Sequence, residues 1–180
     1  MSTTTYYWDL GTDNTFLEEN ENGDTSVQYT QEPSLYGQLI AQELGGLASY
    51  YNYDAQGSTR ELTDDSEEVT DTYAYSASGE AVVSEGATGN SFRYKASLGY
   101  HTDSNTGELA VRARKYQPTP ARWLSRDPLF LGDVNSYRYA YNSPIGFVDP
   151  SGLKPSKCLG QCLTPRSRRD RRAPANRFAN

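Results

Sequence analysis

The stretch Y-N-Y-D-A-Q-G, Tyr51 to Gly57, returns as Y-A-Y-S-A-S-G from Tyr73 to Gly79 and as F-R-Y-K-A-S-L-G from Phe92 to Gly99. Each copy reads aromatic-x-Tyr-x-Ala followed by a glycine, and Tyr53, Tyr75 and Tyr94 follow one another at 22 and 19 residues. Side chains two apart on a strand point the same way, so each copy places two aromatics on one face of a short strand. It then turns at a glycine, where positive φ carries little strain. A period near twenty predicts stacked β-hairpins. The turn clusters Asp64-Asp65-Ser66 and Asp103-Ser104-Asn105-Thr106-Gly107 precede segments fit to return as partner strands, among them E-L-A-V-R-A-R-K-Y. Hairpins of this kind do not bury their own faces, so three units are about the smallest number expected to hold together.

Composition agrees with an all-β class: 15 tyrosines stand beside one methionine in 180 residues, and Tyr, Thr and Val at strand spacing favour pleated surfaces. The net charge of −6 divides unevenly, with residues 154–180 at +7 and residues 1–153 at −13. The acidic body argues against nucleic acid as its partner, because phosphate binding needs a positive surface. The tail, with three prolines and an arginine run from Arg166 to Arg172, reads as a disordered, solvated segment.

Cys158 and Cys162 form an isolated C-x3-C in that tail; with no second Cys/His pair nearby, neither a zinc site nor any other metal or cofactor is expected. His101, the single histidine, has no companion ligand and reads as a hairpin-turn residue, while Trp8 and Trp123 read as packing anchors. The N-terminus has no basic and apolar leader, so no signal peptide is seen, and no apolar run is long enough to cross a bilayer. Ser34 to Gly46 fits a helical stripe slightly better than a strand on periodicity alone.

Five ordered blocks carry a family resemblance: Tyr50 to Asp64, V-R-A-R-K-Y (Val111 to Tyr116), A-R-W-L-S-R-D-P (Ala121 to Pro128), N-S-Y-R-Y-A-Y-N-S-P (Asn135 to Pro144) and V-D-P-S-G-L (Val148 to Leu153). Together they resemble the RHS repeat-associated core domain of bacterial tyrosine-aspartate repeat proteins, over roughly Gln28 to Leu153. That family includes contact-dependent polymorphic toxins and the C subunits of insecticidal ABC toxin complexes, and is related to teneurin-type shells. The resemblance implies successive twisted β-hairpins forming part of a hollow shell or its plug. It divides the chain into lead-in strands (1–49), core hairpins (50–132), a plug segment (133–153) and a variable basic tail (154–180). It also shifts the expectation for Ser34 to Gly46 to strand.

The same resemblance implies an aspartic self-protease that cuts after the final D-P-x-G-Leu. Asp127 and Asp149 are 22 positions apart, the family's spacing, and Arg126 matches an arginine found before the first aspartate. The expected bond is Leu153–Lys154. Phe130 stands where the family has a glycine in the first motif, and a phenylalanine resists positive φ. Two carboxylates brought close favour one protonated and one charged, an acid and a base for peptide hydrolysis. The resemblance further implies partners in the rest of an RHS shell, or of the same longer chain, and an immunity protein. It implies synthesis in the bacterial cytoplasm, then non-classical export to the cell surface or medium. A non-enzymatic adhesive or carbohydrate-contacting fragment, or an inactive remnant of a larger RHS protein, is the competing reading. A tail of 27 residues is too short to fold alone as a toxin domain.

Overall fold

A computed structural model describes residues 4–8, 15–129 and 134–157. An antiparallel meander of eight strands dominates it: β1 (Thr5–Trp8), β2 (Thr15–Glu19), β3 (Thr25–Gln31), β4 (Leu39–Leu44), β5 (Leu47–Tyr53), β6 (Thr59–Thr63), β7 (Val69–Tyr75) and β8 (Ala81–Glu85), each paired with its neighbour in sequence. A second sheet has the order β12 (Arg122–Trp123), β11 (Arg114–Gln117), β10 (Leu109–Val111), β9 (His101–Thr102). Finally β13 (Phe147–Val148) pairs with β14 (Ser156–Lys157). The all-β expectation holds.

Four of the described turns of the meander share one chemistry. In residues 20–24, 54–58, 64–68 and 76–80 the first residue's side-chain oxygen (Asn20, Asp54, Asp64, Ser76) accepts the N–H four residues on, while its carbonyl accepts the N–H three residues on. The fourth residue is left-handed: Gly23, Gly57, Glu67 and Gly79 all have positive φ. This is the three-residue hairpin loop that ends in a bulge, and the aspartate of the tyrosine-aspartate pattern is its hydrogen-bond template. Between β4 and β5 the loop shortens to Gly45-Gly46, with φ of 61° and 82°, the mirror-image turn of a tight hairpin. Strand is therefore the outcome for Leu39–Leu44, and the two glycines join strands instead of stopping a helix.

Alternation puts Val27, Tyr29, Leu39, Tyr51, Leu62 and Tyr73 on one buried face. The segment after β8 crosses that face: Gln42 Nε2 donates to the Gly89 carbonyl, Tyr51 Oη to Asn90 Oδ1, and Thr59 Oγ1 to the Phe92 carbonyl. Here the third repeat departs from expectation. Phe92 and Tyr94 are buried, yet residues 92–99 form turns and a 3-10 turn (Ala96–Leu98) instead of a strand. Their backbone groups are bonded to the face they cover, with Thr59 N–H on the Arg93 carbonyl and Ser97 N–H on Gly57's, so no strand partner is needed.

A second cluster, built on Tyr100, Leu109, Val111, Tyr116, Trp123, Tyr139 and Val148, lies beneath the small sheet. Its aromatic centre is Tyr116, Trp123 and Tyr139, with ring centroids 4.2 to 5.8 Å apart; such pairs contribute about 0.5–1.5 kcal/mol beyond their buried area. Trp123 is thus the expected anchor, whereas Trp8's side chain lies outside the described residues. His101 is not a turn residue: it belongs to β9, edge-on to the rings of Tyr6 and Phe92 and 3.7 Å from the Glu18 carboxylate. Cys158, Cys162, the Arg166–Arg172 run and Phe130 also lie outside the described residues.

Candidate functional site

The pairing of β13 with β14 makes Asp149 to Pro155 the loop of a hairpin. The motif D-P-S-G-L and the Leu153–Lys154 bond therefore sit inside one folded turn, and the chain continues past Leu153 into β14. Asp149 is fully buried at its centre. Its Oδ1 accepts the backbone N–H groups of Leu153 and Lys154, both at 3.0 Å, and the Ser151 hydroxyl at 3.1 Å. Lys154 N is the nitrogen of the bond expected to break.

The opposing wall is the hairpin β10–β11. Val111 pairs with Arg114 across a two-residue turn, Arg112-Ala113, in which Arg112 takes φ of 45°. The turn grips the loop carbonyl by carbonyl. Pro150 O accepts from Arg112 Nη1 at 2.6 Å, Ser151 O from Ala113 N–H at 3.3 Å, and Gly152 O from Arg114 Nε. Asp149 O completes the series by accepting from the Tyr100 hydroxyl at 2.9 Å. Gly152 has no room for a side chain, since an added Cβ would stand 2.3 Å from the Val111 carbonyl oxygen.

Arg114 joins the two aspartates. Its Nη2 lies 3.2 Å from Asp149 Oδ2 and its Nη1 3.3 Å from Asp127 Oδ2, with the guanidinium 4.2 Å over the Trp123 ring. Asp127 follows β12, its N–H on the Ser136 carbonyl and its Oδ1 accepting from Leu129 N–H, and its side chain is 20% exposed. Two carboxylates on one buried guanidinium offset the repulsion that would otherwise separate them. Arg126, expected to hold one aspartate, is exposed; among the described residues the arginine that touches both is Arg114. The signal that finds it is alternation: in R-K-Y, Arg114 and Tyr116 share the inward face, and an arginine directed into an aromatic core needs a carboxylate partner.

Among the described residues no group of three or more His, Cys, Asp or Glu is arranged to hold a metal, and no helix is long and apolar enough to cross a membrane.

No protein-family model matches the chain. It is 31% identical over 157 residues to the tRNA3(Ser)-specific nuclease WapA of Bacillus spizizenii, an alignment covering 83% of this chain and 6% of that protein. It is 34% identical over 117 residues to the double-stranded DNA deaminase toxin A of Burkholderia cenocepacia, covering 62% and 8%. Toxin subunit YenC2 of Yersinia entomophaga is 43% identical over 64 residues, covering 35% and 7%. The chain belongs to the RHS family of polymorphic toxins. Its fold is also that of an RHS assembly: the crystal structure of TcdB2-TccC3 without its hypervariable C-terminal region superposes with a TM-score of 0.60 at 21% identity, over 85% of this chain and 8% of that one. This RHS chain spans 6 to 8% of the length of the curated relatives named above.

Proposed function

We propose that this chain is the core module of an RHS toxin or cell-surface protein and that it cuts its own backbone between Leu153 and Lys154. The observation that carries this reading is the buried Asp149 carboxylate 3.0 Å from the Lys154 nitrogen, tied through Arg114 to a second, partly exposed carboxylate on Asp127. Asp127 is the one solvent reaches, so it takes a proton from the attacking water, whose oxygen joins the Leu153 carbonyl carbon. As the C–N bond breaks, the Lys154 nitrogen takes the proton that Asp127 removed from the water and leaves as an amine, while the Asp149 carboxylate keeps hold of the Lys154 N–H. The net reaction consumes one water. Because the bond belongs to the loop that holds the acid, it is presented at high effective molarity, and one turnover needs no further substrate binding.

The partners in this reading are the rest of an RHS shell, on the same longer chain or a separate one, which the core plugs around its cargo, and an immunity protein. Export to the surface or medium follows a non-classical route. The toxin names of the relatives, and a structural neighbour whose C-terminal region is described as hypervariable, support a module placed before exchangeable cargo.

The test is intact mass over time. Wild type yields fragments 1–153 and 154–180, and Asp149→Asn and Asp127→Asn stay at 20.0 kDa. Wild type and Asp149→Asn remaining identical for days across several pH values would sink the reading.

A further inference from the structure

The Tyr100 hydroxyl is buried with no solvent access and makes three bonds. It donates to the Asp149 carbonyl at 2.9 Å, accepts the Asp149 N–H at 3.2 Å, and lies 3.1 Å from the Tyr139 hydroxyl. Since a hydroxyl has one proton and that proton goes to the carbonyl, Tyr139 is the donor in the last contact. One oxygen thus satisfies both peptide groups of the aspartate that touches the Leu153–Lys154 amide. The buried Tyr116, by contrast, holds a loop at a distance from the site through the Ser78 carbonyl. Tyr100 holds the backbone from which the Asp149 side chain departs.

We propose that Tyr100 is a positioning residue for self-cleavage, fixing the two peptide planes that meet at Asp149 so that its carboxylate meets the Leu153 and Lys154 amides. The proposal rests on the self-cleavage reading. Removing the hydroxyl leaves the buried Asp149 N–H unpaired and the Asp149 carbonyl with only its weaker 3.2 Å bond from the Gly152 N–H, and the peptides on either side of Asp149 rotate to find other partners. The carboxylate moves with them. Displacements of about 1 Å at a reacting centre cost on the order of a hundredfold in rate.

Tyr100→Phe and Tyr139→Phe are compared with wild type in the full chain. Both delete a buried hydroxyl, but Tyr139→Phe leaves the two bonds between Tyr100 and Asp149 in place. Tyr100→Phe is expected to slow the cut by about ten- to a hundredfold, while Tyr139→Phe cuts at close to the wild-type rate. In an uncut Asp127→Asn background, Tyr100→Phe moves the Leu153 and Lys154 amide proton signals upfield as their bonds to the carboxylate lengthen, and Tyr139→Phe does not. Equal slowing by both variants, or unchanged amide signals in Tyr100→Phe, would overturn the proposal. If Tyr100→Phe does not fold, 4-aminophenylalanine at position 100 keeps a donor for the Asp149 carbonyl but offers the Asp149 N–H a poor acceptor; unchanged Leu153 and Lys154 amide signals there overturn it as well. A wild type that never cuts and matches Asp149→Asn removes the self-cleavage reading instead, and the amide signals alone then decide whether Tyr100 sets the Asp149 geometry.

Discussion

At Gly152 the backbone takes φ of +69° and passes within van der Waals reach of the β10–β11 turn, so two independent constraints meet at one residue. Gly45 shares the first constraint, with φ of +61°, but has open space around it. Gly45→Ala is therefore expected to cost about 1 kcal/mol from the left-handed backbone alone. Gly152→Ala adds a collision with the Val111 carbonyl and is expected to cost about 1–3 kcal/mol more, with loss of the cut; urea midpoints and intact mass read the two effects separately. The residues of the site divide along the same line. Asp127 and Asp149 are legible because their spacing and flanking prolines lie along the chain. Arg114 is not, because its meeting with both depends on which residues face inward from β11 and on a hairpin closing over a loop 35 residues away. Arg126, adjacent in sequence to Asp127, faces outward instead.

Among the elements, the hairpins are the most legible part, since four of their turns are encoded locally: an oxygen-bearing side chain, two free residues, then a residue in the left-handed region. Glu67 is the exception in that last position, at φ of 63°, where the three equivalent turns have glycine. Glu67→Gly is expected to stabilise the protein by about 0.5–1 kcal/mol, the left-handed strain it relieves exceeding the entropy that glycine adds to the unfolded chain. A raised urea midpoint with unchanged slope checks it. The third aromatic repeat is where local reading fails. Phe92 and Tyr94 have the strand spacing, but Lys95 takes φ of 49° and the segment bonds to a face of the sheet instead of an edge. Which of the two a segment meets is decided by the sheet already present, not by the segment's own residues.

Across the whole molecule, tyrosine hydroxyls make up much of the interior, and that sets its response to base. Burial is the largest cause at each and pushes the hydroxyls of Tyr29, Tyr51, Tyr53, Tyr100 and Tyr139 above their ordinary value of 10.0. A raised folded value means the unfolded chain loses these protons first, so their contribution is complete below about pH 10 and falls as pH rises beyond it, by up to about 1.4 kcal/mol per group per pH unit. Cooperative unfolding should therefore begin above pH 10, with tyrosinate absorbance of the buried rings appearing together with loss of the circular dichroism signal. A tyrosinate titration completed with the fold intact would contradict this.

The two sides of the Leu153–Lys154 bond are held unequally. Upstream, four successive carbonyls are bonded to Tyr100, Arg112, Ala113 and Arg114; downstream, the Lys154 N–H bonds the Asp149 carboxylate and a two-residue strand, Ser156–Lys157, is exposed at both positions. Once the bond is broken, the upstream end keeps its anchorage while the downstream end is free to peel away. If the chain is cut as proposed, the same loop acts as a one-way latch, because rejoining the ends requires both to be present, and only one of them stays.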